Sequence, residues 1–376
     1  MRIITGDDTG LIKQILIENK RIQRWGTQSR ENGVECMAWA GEEGNEENEL
    51  GVVLRNGHVQ VWDVDQTEIV KEYTGIEGTA CGMGILRNQE MRHIVSCTTE
   101  GSVYLFKWDE EEAIDSFDVN GPVSKMRLCP YNNKVFAVGG RENDIALYDI
   151  EQKDAIFRGR NVPNDFLNLR VPIWVADMQF LSSDGSTHKL AVVTGHHQIR
   201  LYDTRAQRRP VQSVEIGDRP FTCCRVARDD SVLYTGDTTG RVSRIDLRTL
   251  RLSGTYKGNT GSVRDIAIHP TLPRLATVGL DRIMRVFDSE SRQQLHRVYL
   301  RQQLNAVLFT SEEEVKMFAE EESDVDNESD VNDVNEASDA SDVNDMNESS
   351  DMDGNDATDT NEENNTEEKT DKSDSD

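Results

Sequence analysis

His196 and His197 stand side by side in the chain, as do Cys223 and Cys224, and two turns read GDDTG (6–10) and GDTTG (236–240). Each set has residue types that could do chemistry, and each lacks its complement. A zinc site needs four nitrogen or sulfur ligands at suitable spacing, and neither pair has a second pair to join it. Cys36, Cys81, Cys97 and Cys129 complete no Cys-x-x-Cys unit. Most of the six cysteines lie in apolar runs, where a reduced thiol behaves as a small hydrophobe. The glycine-flanked turns lack the Lys-Ser/Thr pair and the following helix of a phosphate loop. No Gly-x-Ser-x-Gly elbow occurs, and the scattered carboxylates read as turn residues. These absences point away from catalysis and from a bound metal or cofactor.

Arginine is the remaining chemistry. The formal net charge is −27, but residues 311–376 alone carry 27 acidic side chains and three lysines. Residues 151–310 carry 24 basic against 16 acidic side chains, and most of the basic ones are arginine. The planar guanidinium suits paired hydrogen bonds to phosphate or carboxylate, and basic surface attracts RNA phosphates in a salt-dependent way. No RRM, KH or zinc-finger pattern accompanies this charge. The densest cluster is FRGRNVPNDFLNLRVPIW at 157–174. Its Arg158, Arg160, Asn161, Asn164, Asp165, Phe166, Arg170 and Trp174 are candidate contacts to a protein or RNA partner. The competing reading is that its apolar members only pack across the domain.

The elements that position these residues come from a repeat. An apolar run, a polar turn and an alternating strand recur, as in GVVLRNGHVQVWD (51–63), LAVVTGHHQIRLYD (190–203) and LATVGLDRIMRVFD (275–288). The last turn residues are Gly10, Gly57, Gly101, Asn143, His197, Gly240 and Arg282, at spacings of 47, 44, 42, 54, 43 and 42. Such a period with short strands is that of a propeller blade. Segments such as Glu68–Tyr73, Val211–Ile216 and Leu252–Lys257 read as innermost strands. Val123–Leu128, Val175–Phe180 and Val263–Ile268 read as second strands, and the repeat itself as third and fourth. The chain opens with a third and a fourth strand and closes with Gln294–Leu300 and Leu304–Phe309, which read as the missing first and second. The expectation is an all-β, seven-bladed WD-repeat propeller over residues 1–309, its ring closed by N- and C-terminal strands.

The 54-residue interval exceeds its 42-residue neighbour by 12. The excess falls between Ala155–Arg158 and Val175–Phe180. Propeller geometry puts this long loop on one face with the turns at Gly139–Asn143, Gly195–His197, Thr260–Ser262 and Gly279–Arg282. Arg141, His197 and Arg282 therefore join the candidate contacts.

The 157–174 segment, with GGREN (139–143), TGHHQIRLYD (194–203), QRRPV (207–211), GSVRDIAIHP (261–270) and VYLRQQLNAVLF (298–309), resembles the WD repeat-containing protein 74 family of ribosome-biogenesis factors. The resemblance covers nearly all of the propeller. It implies a non-enzymatic scaffold in the nucleolus and nucleus, carried on pre-60S particles. It also implies contact with assembly factors and pre-ribosomal RNA, and release by a hexameric AAA ATPase. The family commonly ends in a basic tail, whereas residues 310–376 here are acidic and rich in Asn and Ser, the composition of a disordered segment. A propeller adaptor of a ubiquitin ligase or chromatin complex stays open, because Tyr202-Asp203-Thr204-Arg205 and Ile245-Asp246-Leu247-Arg248 loosely follow a W-D-x-R pattern. No apolar stretch approaches 18 residues and no signal-peptide pattern opens the chain, so the expectation is an intracellular chain without a membrane partner.

Overall fold

A strand such as Val135–Gly140, Val232–Asp237 or Arg2–Asp7 buries every residue. Such a strand cannot lie on a half-solvated sheet; it needs cover on both faces. The computed structural model supplies that cover. It describes residues 1–311 apart from residues 43, 88–91, 111 and 182–186. The described residues form seven four-stranded antiparallel sheets arranged as the blades of a propeller. The acidic segment assigned to the tail lies, from residue 312 on, outside the described residues.

The innermost strands are Val34–Trp39, Ala80–Arg87, Lys125–Leu128, Val175–Phe180, Phe221–Val226, Val263–Ile268 and Leu304–Phe309. They belong to blades 2 to 7 and then blade 1. Each packs on the next, and Leu304–Phe309 packs on Val34–Trp39, so the ring closes. Seven apolar clusters fill the seven gaps between neighbouring blades. Both faces of every sheet are thus core, and the solvated edge is the outermost strand of each blade.

This arrangement corrects the strand positions read from the sequence. Ile69–Tyr73, Gln212–Glu215 and Arg251–Tyr256 are outermost strands, not innermost. The recurring segment supplies the second and third strands of a blade. The sequence repeat begins one strand before the structural blade does. The physical distinction is burial: outermost strands are mainly exposed, whereas innermost ones face neighbouring blades. The closing blade is therefore shared three to one. Leu304–Phe309 pairs with Arg2–Asp7, followed outward by Ile12–Leu16 and Arg21–Trp25. Gln294–Tyr299 instead edges blade 7.

The recurrent Asp at the end of the third strand has a local reason. Asp63, Asp149, Asp246 and Asp288 each accept hydrogen bonds from two amides of the following turn, at 2.8–3.0 Å. Asp203 accepts from the Arg205 amide at 3.0 Å. This is the Asx-turn device. It accounts for the Asp of both W-D-x-R-like segments without a partner. The GDDTG and GDTTG turns are closed likewise: Asp7 and Asp237 each cap two amides and a threonine hydroxyl.

Candidate docking face

Antiparallel order within a blade puts the second-to-third turns on the same face as the connections between blades. The long insert, residues 159–174, runs from the outermost strand of blade 4 (Asp154–Arg158) to the innermost strand of blade 5 (Val175–Phe180). It is a link between blades, and it lies on the face expected from the spacing. Its exit is sewn to the turns of both neighbours. Arg141 and Trp174 form an isolated antiparallel bridge. The Glu142 amide donates to Ile173 O at 2.9 Å, and the Gly195 amide to Trp174 O at 2.8 Å.

The entry is organised around Asn161. Asn161 Nδ2 donates to Val171 O at 2.6 Å, pinning the two limbs of the insert together. Asn161 Oδ1 accepts from its neighbour's amide and, at 2.9 Å, from Nη1 of Arg200. Arg200 is wholly buried, and its Nε and Nη2 donate to Gln198 Oε1 at 3.1 and 2.7 Å. From outside, Arg209 Nη1 donates to Asn161 O at 2.9 Å and Arg208 Nε to Arg158 O at 2.8 Å. Arg200, Arg208 and Arg209 are therefore supports of the insert. Sequence alone does not reveal this role, because only the tertiary fold brings residues 200–209 against residues 158–161.

The sequence-derived candidates divide by what their atoms do. Asn161, Asn164 and Asp165 spend polar atoms on the insert itself. Asn164 Nδ2 donates to Asn168 O at 3.1 Å, and Asp165 Oδ1 accepts from the amides of Leu167 and Leu169 at 2.9 and 2.8 Å. Arg141 and Trp174 meet, the guanidinium carbon lying 5.7 Å from the ring centroid. Arg170 pairs with Glu142 at 3.0 Å, both largely exposed, a contact of small net value. Arg158 and Arg160 project into solvent with no ion pair among the described residues. Phe166 is 94% exposed. His196 meets Trp174 edge-on, and His197 takes a φ of 49° to turn the chain. Arg282 shares the face but lies on blade 7, two blades from the cluster.

The packing reading of the insert holds for part of it. Ile173 is buried in the core between blades 4 and 5 and Val171 is half-buried. Trp174 lies directly over Gly195, where a Cβ would overlap its ring. Replacing Gly195 with alanine is expected to push Trp174 outward and cost about 1–3 kcal/mol, typical of overpacking. Thermal denaturation checks this; an unchanged melting temperature would mean that the ring is not held there.

A second constellation escapes sequence reading altogether. Asp177 and Asp265 occupy equivalent positions just after β-bulges on the innermost strands of blades 5 and 7. Asp177 is wholly buried. Arg127 of blade 4 grips it with two bonds of 3.0 and 2.8 Å, and the Cys224 amide of blade 6 donates at 3.0 Å. Arg225 of blade 6 reaches Asp177 at 3.6 Å and donates to Asp265 at 2.8 Å. Asp265 in turn accepts from the Val307 amide of blade 1 at 3.1 Å. A belt of alternating charge thus links five blades around the centre. Burial opposes the Asp177 charge, yet Arg127, Lys125 and Arg225 hold its carboxyl down to about 2. Bulges re-aim side chains out of register, which is why these aspartates bridge blades. The sequence signal is the shared V-x-D of VAD (175–177) and VRD (263–265).

The six cysteines are free thiols, five of them buried. Burial pushes Cys223 up to about 12, so this thiol stays protonated.

Comparison with known proteins agrees with this geometry. The WD domain, G-beta repeat family matches residues 250–288. That span is the outermost strand of blade 6 plus three strands of blade 7, the same one-strand offset described above. The chain is 15% identical to the β-propeller domain of Cps50 (Swd1) from Myceliophteria thermophila, with a TM-score of 0.60 over 72% of this chain and 88% of that one, a likeness of fold alone. It is 26% identical over 364 residues to ribosome biogenesis protein nsa1 of Schizosaccharomyces pombe, covering 86% of this chain and 92% of that protein. It is 34% identical over 319 residues to WD repeat-containing protein 74 of Homo sapiens, and 33% over 317 residues to that of Bos taurus. Each of these alignments covers 81% of this chain and 80% of the relative. The chain belongs to the WD repeat-containing protein 74 family.

Proposed function

We propose that this protein is a ribosome biogenesis factor, a WD propeller that serves as a scaffold on nucleolar precursors of the large ribosomal subunit. The name of the fission-yeast relative, ribosome biogenesis protein, supports the assignment. In this reading the protein works in the nucleolus and nucleus, among pre-60S assembly factors and pre-ribosomal RNA, and is released by a hexameric AAA ATPase. Its work is docking, not turnover: the histidines and thiols that sequence reading weighs are committed to turns and core.

The observation that carries the docking reading is the insert. It is fixed at both ends by neighbouring blades, yet it presents Arg160, Arg170 and an apolar tip to solvent, with Arg158 exposed at its root. Loops held on a rigid scaffold are where binding residues concentrate. Reversing Arg158, Arg160 and Arg170 to glutamate together is expected to lower cosedimentation with large-subunit precursors at least about tenfold, with the salt sensitivity of a charged contact. Wild-type levels of association would remove the insert from the interface. Recovery of the wild-type chain with a cullin-ligase adaptor and no ribosomal RNA would replace the ribosomal reading with the adaptor one, which the turn-capping role of Asp203 and Asp246 weakens.

A further inference from the structure

We propose that Phe166, Leu167 and Leu169 form a plug that enters an apolar, carboxylate-rimmed groove on a protein component of the large-subunit precursor. The proposal rests on the docking reading above and narrows it to one class of partner.

Its basis is an exposure that water disfavours and the backbone enforces. Phe166, Leu167 and Leu169 are 94%, 63% and 59% exposed. They have not been left out by a slack loop. The Asp165 amide donates to Leu169 O and the Asn168 amide to Asp165 O, both at 2.9 Å. The Asp165 carboxylate caps the amides of Leu167 and Leu169, and Asn164 ties to Asn168. Asn168 takes a φ of 61°, a left-handed conformation that asparagine tolerates better than most residues. The tip is a closed, internally bonded turn, and its root is locked through Asn161 to buried Arg200. Preorganisation of this kind removes much of the ordering cost of binding.

The chemistry of the tip selects its partner. A nucleobase stacks on an aromatic ring, so RNA could cover Phe166. The two leucines have no π face, and stacking would leave them in water. A groove between protein elements takes all three side chains, as interface anchors do. Charge sets the rim. Arg160 and Arg170 flank the tip in the chain; Arg170 pairs with Glu142 only in an exposed contact of small net value, and the carboxylate within the tip, Asp165, is occupied with loop amides. The complementary surface is therefore apolar at its floor and acidic at its edge.

The test places photoreactive benzoylphenylalanine at position 166 of the full-length chain in cells. Large-subunit precursors are isolated, irradiated, and divided between ribonuclease and protease, and adducts are mapped by mass spectrometry. The expected result is a ribonuclease-resistant adduct to one protein other than this one, at a segment where apolar residues adjoin Asp or Glu. With that protein purified, Phe166→Ser combined with Leu167→Ser should weaken binding at least about 30-fold, as for an interface hot spot, while the melting temperature stays put because the tip supports no core. An adduct destroyed by ribonuclease would assign the tip to RNA, and one of twice the chain's own mass to a second copy; either overturns the plug. So does the absence of any adduct when the protein still travels with the precursors. Failure of the wild-type protein to travel with them at all is a different outcome, and it removes the docking reading itself.

Discussion

Replacing Asp177 with alanine is expected to destabilise the propeller by about 3–5 kcal/mol, the usual cost of breaking a buried ion pair from one side. The magnitude follows from what is left behind. Arg127 donates two bonds to Asp177, and the Cys224 amide of the next blade a third. Without the carboxylate, a mostly buried guanidinium loses its counter-charge and an inter-blade hydrogen bond has no acceptor. Arg225 keeps its bond to Asp265, so the belt is cut between blades 4 and 6 but stays whole from blade 6 to blade 1. Asn at position 177 retains the acceptor and loses the charge, so it should fall between alanine and wild type. The midpoint of urea unfolding measures all three, and an alanine variant within about 1 kcal/mol of wild type would refute the role given to the belt.

The same group predicts an acid limb. The folded-state carboxyl titrates at about 2, below the ordinary aspartate value of about 3.9 in an unfolded chain. A depressed pKa contributes stability that is present above the unfolded value and is lost as pH falls toward the folded one. Wild-type stability should therefore drop between about pH 4 and pH 2, and the alanine variant should lose less over that interval.

The second large effect concerns closure. A chain ending at Gln303 is expected to show no cooperative unfolding transition, whereas one ending at Ser311 should melt within about 2 °C of the full-length protein, a shift of about 1 kcal/mol at most. Residues 304–309 supply the innermost strand of blade 1 and part of two inter-blade cores. Leu304, Val307 and Phe309 pack toward blade 7, and Ala306 toward blade 2. Removing them bares the edge of Arg2–Asp7, where Ile3 and Ile4 are wholly buried. An open edge of that kind invites association. The closure has a polar clasp too. Lys13 Nζ donates to Leu300 O at 2.7 Å and Gln302 Oε1 at 2.6 Å and pairs with Asp7 at 2.8 Å, so the N-terminal strands grip the connection leading to the last one. Desolvation pulls the Lys13 pKa down against the pull of Asp7, which marks the pair as core. A cooperative transition in the shorter chain would show that six blades suffice. Loss of the transition in the longer one would place part of the domain beyond residue 311.

How much could be read in advance differs from residue to residue. The blade period is legible because second and third strands repeat a local pattern: an apolar run, a turn and an aspartate that caps the next turn. Each of these is a short-range requirement. The length of the insert is legible for the same reason, since extra residues show in spacing. The radial order of strands is not, because Glu68–Tyr73 and Val175–Phe180 are both short runs of mixed polarity. What separates the outer strand from the inner one is which neighbour covers it.

The insert shows the same division within a single loop. Its composition marks Arg158, Arg160, Phe166, Arg170 and Trp174 as unusual, and its flanking strands fix the face on which it lies. Composition cannot say that Asn161 and Asp165 hold the loop while Phe166 leaves it, since amides, carboxylates and aromatics serve either role. Arg200, Arg208 and Arg209 become supports only when blade 5 is laid beside blade 4, and Asp177 finds Arg127 only across a blade boundary. By itself the sequence determined the repeat, the closing of the two ends and the place of the long loop, because turn chemistry and strand burial act over a few residues. Only the tertiary structure decided which charges are buried against one another and which side chains stay exposed, because both depend on contacts between blades that lie some 40 residues apart in the chain.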